Sequence, residues 1–289
     1  MRFYIVIPAH NEAEYIENTL LSLGNQTLLP KRIVVVDDHS TDATAEVVSR
    51  CAKKFPCIHL VKITSEDKHL PGSKVIHAFY KGFETLDDDY DIICKFDADL
   101  IFPENYLEKL ADIFKNNPKC GMAGGFCTIE KKESWEIENL TNKDHVRGAL
   151  KAYRKACYED IGGLNLAMGW DTADELLAQY HGWEVITEPS LLVKHLKPTG
   201  KTYDKTAHYK QGEAFYRLRY GFWLTAIASV KLALKKGKPF LALDYLKGYF
   251  KAKKNKSRFL VSEDAGSFIR KLRWEKIKQK VYLIPLIKI

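Results

Sequence analysis

The sequence predicts an α/β protein: a mostly parallel central sheet flanked by helices, followed by a basic helical extension. Three observations point there. Apolar, β-branched runs alternate with stretches of helical spacing through the first half of the chain, and the runs are continuous rather than alternating, as strands are when helices cover both faces of a sheet. Polar clusters follow three of those runs. The charge changes sign near residue 196.

Taken in order, YIVIP (4–8) is a first strand closed by proline, and Ile16, Leu20 and Leu23 fall at helical spacing within 13–23. IVVV (33–36) is a second strand. A Ser-Thr-Asp cap then opens a helix from Asp42 to Cys51. CIHLVKI (57–63), a helix over 74–85, DIICKF (91–96), a helix over about 104–116 and GMAGGF (121–126) continue the alternation. In parallel sheets ligands bind beyond the carboxyl ends of the strands. HNE (10–12), DDHSTD (37–42) and DADL (97–100) all fall on that edge, which is the pattern of a site.

Residues 197–289 read differently, with aromatics and lysines interleaved. The expected division is a sheet domain over 1–196 and an extension over 197–289. Residues 1–196 hold 22 Lys and Arg against 31 Asp and Glu, a net of −9; residues 197–289 hold 23 against 6, a net of +17. A basic tail of this kind meets anionic surfaces, either nucleic acid or the cytoplasmic face of a membrane. The longest apolar stretch, Phe222 to Leu234, is about 13 residues, short of the roughly 20 that a spanning helix needs. It reads as part of a pair of amphipathic helices, packed on the sheet domain or lying at a membrane interface. The six cysteines include no C-x-x-C pair or metal spacing and read as reduced packing residues. The first strand begins almost at residue 1, leaving no room for a signal peptide, so a cytoplasmic protein is expected, in place at the inner face of the cell membrane if the tail binds there.

Two carboxylates one residue apart, Asp97 and Asp99, end a strand that should be buried. Unpaired they repel; a solvated turn is the plain reading, and a divalent cation between them the sharper one. IPAHNE (7–12), VVVDDHSTD (34–42), PGSK (71–74) and FDADL (96–100), in this order, resemble the family 2 glycosyltransferases of the GT-A fold. RGALKAYRKACYEDIGGL (147–164) and GWDTADELLAQYHGW (169–183) are similar to that family's acceptor-side half.

The resemblance implies a metal-dependent, inverting transfer of a sugar from a nucleotide-diphosphate sugar, UDP-linked in the first instance, to a hydroxyl of a glycan or lipid-linked acceptor, as in polysaccharide synthesis. Hard oxygen ligands suit Mn2+ or Mg2+. Asp99 is then the direct ligand, and Asp97 contacts the ribose or reaches the metal through water. Pro8 and Glu12 lie in the nucleotide-binding first turn, Asp38 reads the base, and Lys74 faces the nucleotide. His195, at the end of a strand-like segment, completes the metal sphere, or is structural. Arg147 faces acceptor or phosphate, or makes a surface ion pair. Pro8 equally ends a strand, and Lys74 is equally a solvated side chain. His39 stands where the family has glycine, which leaves the turn after the second strand open. The base expected is Asp171, eleven residues before Gly182 as in the family; Asp174 and Glu175 are the alternatives because Trp170 replaces the usual glutamate.

Other functions fit less well. A sugar-phosphate nucleotidylyltransferase needs a glycine-rich basic first loop, which IPAHNE is not, and a dinucleotide oxidoreductase needs G-x-G-x-x-G there. Nucleic-acid binding through the tail lacks a recognised motif and is not expected.

Overall fold

The computed structural model describes residues 1–65, 73–132, 134–138, 144–197 and 206–282. The chain divides into two compact units, Met1–Lys201 and Thr202–Ile289.

The first unit is a nine-stranded mixed sheet, in the order β3-β2-β1-β4-β8-β6-β9-β5 with β7 paired to β6. Its parallel part is β1 (Phe3–Ala9), β2 (Arg32–Asp38), β3 (Ile58–Ile63) and β4 (Ile92–Phe96), each followed by a helix or a turn. Because side chains alternate along a strand, β1 feeds two cores. Phe3, Ile5 and Ile7 face Ile16, Leu20 and Leu23 of α1 (Ile16–Gly24), together with residues of α2 (Thr44–Lys54) and α4 (Tyr106–Asn116). Tyr4 and Val6 pack with Ile76 and Phe79 of α3 (Ser73–Phe83). These side chains are fully buried, and each contributes about 1.5–3 kcal/mol of transfer free energy. This two-sided burial is why β1 and the centre of β2 read as uninterrupted apolar runs.

Beyond β4 the sheet turns antiparallel. β8 (Leu150–Arg154) pairs antiparallel with both β4 and β6 (Cys120–Lys131), whereas β9 (Glu184–His195) runs parallel to β6. β5 (Leu100–Ile101) pairs antiparallel with the end of β9, and β7 (Ser134–Ile137) with β6. The parallel sheet expected from the sequence is therefore its first half. β8 escapes a reading for apolar runs because it carries Lys151 and Arg154, and Lys151 is wholly buried. α5 (Lys155–Asp160) and α6 (Trp170–Tyr180) complete this unit.

The second unit contains four described helices where two were expected: α7 (Thr206–Arg217), α8 (Gly221–Lys235), α9 (Leu241–Lys254) and α10 (Glu263–Tyr282). α7 and α9 cross closely at Gly212 and Gly248, where a Cβ would meet the carbonyl oxygens of Tyr245 and Tyr209 at 1.7 and 2.0 Å. Among the described residues no helix is long and apolar enough to cross a membrane. All six cysteines are free and at least half-buried.

Candidate active site

The carboxyl edge of the parallel strands is laced together by its own loops. After β1, the Asn11 amide donates to Ser40 Oγ (2.9 Å) and its side-chain oxygen accepts from the Thr41 amide (2.8 Å). The Glu12 amide donates to Thr44 Oγ1 (2.9 Å) and the Ala13 amide to Asp42 (3.1 Å). Asn11 and His39 both take left-handed conformations, φ +54° and +56°. His39 thus takes the left-handed conformation that a glycine would adopt freely. His10 Nδ1 lies 2.7 Å from the Asp38 carbonyl, which can only accept, so Nδ1 carries the proton. The Asp38 carboxylate is buried and accepts from the Ser65 amide and hydroxyl, at 2.9 and 2.7 Å.

Pro8 sits within β1, opposite Val36. Glu12 is half-buried: Oε1 accepts from Lys197 at 2.9 Å, whereas Oε2 has no hydrogen-bond partner. Burial pushes the Glu12 carboxyl up, Lys197 opposes it, and Asp99 and Asp97 lie near enough to add to the push. Lys74 lies half-buried in the first turn of α3, with no described contact to the other expected site residues. Residues 71 and 72 of PGSK lie outside the described residues.

From the D-x-D two lines of charge run inward. Asp99 is buried and faces His195, Oδ2 to Nε2 at 3.3 Å, because Leu100 of β5 pairs with His195 of β9. The other imidazole nitrogen lies 3.1 Å from Glu138, which is itself ion-paired to Arg147. Burial works against a charged His195, but Asp99 and Glu138 outweigh it and raise the group to about 9. Burial likewise works against the Glu138 carboxylate, and His195 and Arg147 hold it at about 2. Arg147 is mostly buried, with its guanidinium turned to Glu138.

The second line starts at Asp97, whose carboxylate pairs with buried Lys95. Lys95 also donates to the Gly148 carbonyl at 3.0 Å and lies 5.5 Å from the centre of the Trp170 ring. Lys151 approaches the same ring at 5.7 Å. The Trp170 indole face thus takes two cations, by attraction to the ring quadrupole. Lys151 and Asp174 are both fully buried: the ammonium donates to the two carboxylate oxygens at 2.8 and 3.0 Å, and the Tyr153 hydroxyl adds a third bond at 2.6 Å. Burial, opposed by Lys151, pushes Asp174 up to about 6. Glu175 accepts from the Val146 amide at 2.9 Å and lies 2.9 Å from His145 Nδ1 and 3.3 Å from Lys151.

Asp171 differs from these two. Gly169, at φ +81°, turns the chain into α6 and sets Asp171 in its first turn, where the helix dipole favours an anion. Its side chain is 34% exposed, against 8% for Glu175 and 0% for Asp174. Burial pushes Asp171 up, but His145, 3.7 Å away, and Lys151 outweigh it and hold it below the usual carboxylate range. It is therefore ionised at neutral pH.

Sequence reasoning missed Ser65, Lys95, Glu138, His145 and Lys151. Two carried a signal: Lys95 interrupts the apolar run IICKF, and Lys151 sits within GALKAY. A lysine inside a buried strand needs a fixed anionic partner. Asp99 and His195 present a carboxylate oxygen and an imidazole nitrogen to one point, a donor pair that suits a divalent cation sharing its remaining positions with phosphate oxygens. Among the described residues no group of three or more His, Cys, Asp or Glu forms a complete protein cage. A separate hollow of about 310 Å³, lined by Tyr80, Phe83, Tyr90 and Tyr158, lies beside the start of β4, at the other edge of the sheet.

A mixed α/β sheet with paired acids beyond its fourth strand is the architecture of the GT-A fold. The family model described as glycosyl transferase family 2 matches residues 4–160, more than half of the chain, and the chain belongs to that family. A dolichol-phosphate mannosyltransferase of Pyrococcus furiosus is 29% identical over 136 residues, 47% of this chain and 36% of that protein. A poly-β-1,6-N-acetyl-D-glucosamine synthase of Staphylococcus epidermidis is 25% identical over 250 residues, 79% of this chain and 58% of that protein. The chain thus spans between about a third and three-fifths of these relatives. In fold it is similar to a mannosyltransferase from Pyrobaculum calidifontis solved with GDP-Man and Mn2+, at TM-score 0.57 and 18% identity, over 98% of this chain and 85% of that one. S. aureus TarS 1-349 solved with UDP-GlcNAc is similar at TM-score 0.56 and 16% identity, over 87% and 73%.

Proposed function

We propose that this glycosyltransferase moves a sugar from a nucleotide-diphosphate sugar, UDP-linked in the first instance, to a hydroxyl of a glycan or lipid-linked acceptor, with inversion, in making a cell-surface polysaccharide or glycolipid. The observation that carries the donor half is Asp99 facing His195 at 3.3 Å directly beyond β4. These two would hold a divalent ion, Mn2+ or Mg2+, with the imidazole favouring Mn2+. When bound, the ion supplies Lewis-acid stabilisation of charge on the departing diphosphate. To hold the ion His195 would have to be neutral, and Glu138, on its other nitrogen, keeps the ring turned towards Asp99.

Asp38, fixed by Ser65, reads the base, while Pro8, near the end of β1, and Glu12, in the turn after it, lie beneath the nucleotide. Asp97, tethered by Lys95, reaches the ribose. Lys74 serves the nucleotide from the start of α3. Arg147 acts through Glu138 rather than on acceptor or phosphate.

Asp171 is the base. As the ionised, part-exposed acid of α6 it takes the proton from the attacking hydroxyl on the face away from the leaving group. Asp174 and Glu175 have their oxygens bonded to Lys151, Tyr153, Val146 and His145, and they fix the helix start that presents Asp171. The basic extension supports a place of action at the cytoplasmic face of a membrane.

Titration calorimetry tests the donor half. UDP and GDP are titrated into wild type and Asp99→Ala, with Mn2+ or with chelator. Wild type should lose about tenfold or more affinity in chelator, a change of about 1.4 kcal/mol, and the variant should show no metal dependence. Equal affinity with and without metal in wild type would sink the metal role, and the preferred nucleotide names the base.

A further inference from the structure

α8 and α9 each leave a row of large apolar side chains facing outward, besides the ones they bury. The buried residues of α8 are Leu224, Thr225, Ser229 and Ala233, and the Ser229 hydroxyl has no hydrogen-bond partner. Its outward face is Trp223, Ile227, Val230 and Leu234, spaced four, three and four apart and 71%, 40%, 51% and 64% exposed. A helix packed in a water-soluble core turns its large apolar residues inward. Here three of the four buried residues of α8 are small while four large apolar ones face out, an exposed apolar stripe of the kind that interfacial helices present.

α9 continues the surface. Phe240 precedes it at 81% exposure, and Leu243 and Phe250 follow at 56% and 50%. On this helix lysines share the stripe: Lys247 and Lys254 fall at the same spacing, and both are exposed. The Phe222 ring lies 5.9 Å from Phe250 and 5.1 Å from Trp223, joining the two helices into one face. Exposed Lys231, Lys235, Lys236 and Lys238 border it on α8 and at the turn.

We propose that this α8–α9 face docks on an anionic lipid bilayer, with its aromatic and aliphatic side chains at the acyl boundary and its lysines at the phosphates. Length rules against crossing: the 15 residues of α8 span about 22 Å, against a hydrocarbon core of about 30 Å. Charge rules against a second copy, because self-docking would press these lysine rows, in a segment of net +17, against their own kind. Large apolar groups in the same rows as the lysines fit a layered interface, where long basic side chains reach outward past an apolar stem. The inference deepens the location given above and is tested apart from sugar transfer, since lipid binding is read without donor or acceptor.

The full chain is sedimented with phosphatidylcholine vesicles, with and without phosphatidylglycerol, at low and high salt. It should bind the anionic vesicles at low salt, and the double variant Ile227→Glu/Leu234→Glu should bind about tenfold or more weakly, because each added carboxylate must enter the interface. Unchanged UDP affinity and circular dichroism show that the variant is folded. In a second arm, lipids brominated near the headgroup should quench a tryptophan emission component that Trp223→Phe removes, which needs no destabilising substitution. Absence of vesicle binding, or binding that neither the double variant nor the bromolipid arm links to this face, overturns the proposal. So does a dimer, seen by sedimentation velocity without vesicle binding, that the double variant dissolves.

Discussion

The two units handle the same side chains in opposite ways. Among the described residues, five large apolar ones are exposed in Met1–Lys201, scattered as Leu29, Ile137, Leu166, Tyr180 and Leu192, and ten in the much shorter Thr202–Ile289. The first unit buries charges and pairs them, as with Lys151 and Asp174. The second turns hydroxyls such as Ser229 inward and Trp223 outward. An exposed apolar residue on its own is ordinary, whereas a contiguous row marks an interaction surface. The difference teaches that burial pattern, not composition, reports which solvent a region is built for.

The strongest way to break this contrast is Lys151→Met. It strands the Asp174 carboxylate in the core, and removing one partner of a buried pair costs about 3–5 kcal/mol. Urea denaturation should show that loss, while vesicle binding by the second unit stays intact; an unchanged midpoint would mean the buried pair carries nothing. Asp171→Asn comes next, with loss of transfer by about two orders of magnitude or more at unchanged donor affinity. Near-normal turnover by that variant would move the base elsewhere.

His145 gives a pH test. Burial works against its charge, but Asp171 and Glu175 raise it to about 9, above the unfolded value of about 6.5. Protonated His145 therefore stabilises fully below about pH 6.5, less as pH rises, and not at all above about 9, over a range of up to about 3 kcal/mol. The stability difference between wild type and His145→Gln should shrink across that window; a difference that does not vary with pH contradicts the assignment. In the second unit, Gly248→Ala forces a methyl group against the Tyr209 carbonyl. Overpacking costs about 1–3 kcal/mol, against a helix gain of about 1 kcal/mol, so hydrogen exchange in α7 and α9 should accelerate. Smallest of all, Trp223→Gln should change stability by less than about 0.5 kcal/mol in water, and a larger loss would show that the outward face is packed within the protein.

Much of the first unit was legible because β1, β2 and β4 are buried on both faces and so read as nearly uninterrupted apolar runs. β8 was not, since its buried Lys151 looks like a surface residue until Asp174, 23 positions away, is brought to it by the fold. The D-x-D and His39 could be located by motif, but only pairing of β5 with β9 puts His195 against Asp99. Likewise GWDTADELL offered three acids at one helix start, and sequence spacing alone could not say that two of them face Lys151. The four helices of the second unit were harder to read, because α8 is apolar on most sides and its phase of burial is set by small residues.

His39 has a consequence for how the rim was shaped. An L-residue in the left-handed region costs roughly 1–2 kcal/mol relative to the right-handed one, and glycine would occupy the turn freely. The chain keeps an exposed imidazole there, one residue after Asp38, and holds Asn11 in the same conformation on the facing loop. Both positions carry a side chain where glycine would hold the same backbone with less strain, His39 more so than Asn11, since asparagine enters this region readily. His39→Gly is therefore a substitution that the backbone invites, and any activity lost on making it would measure what the imidazole is kept for.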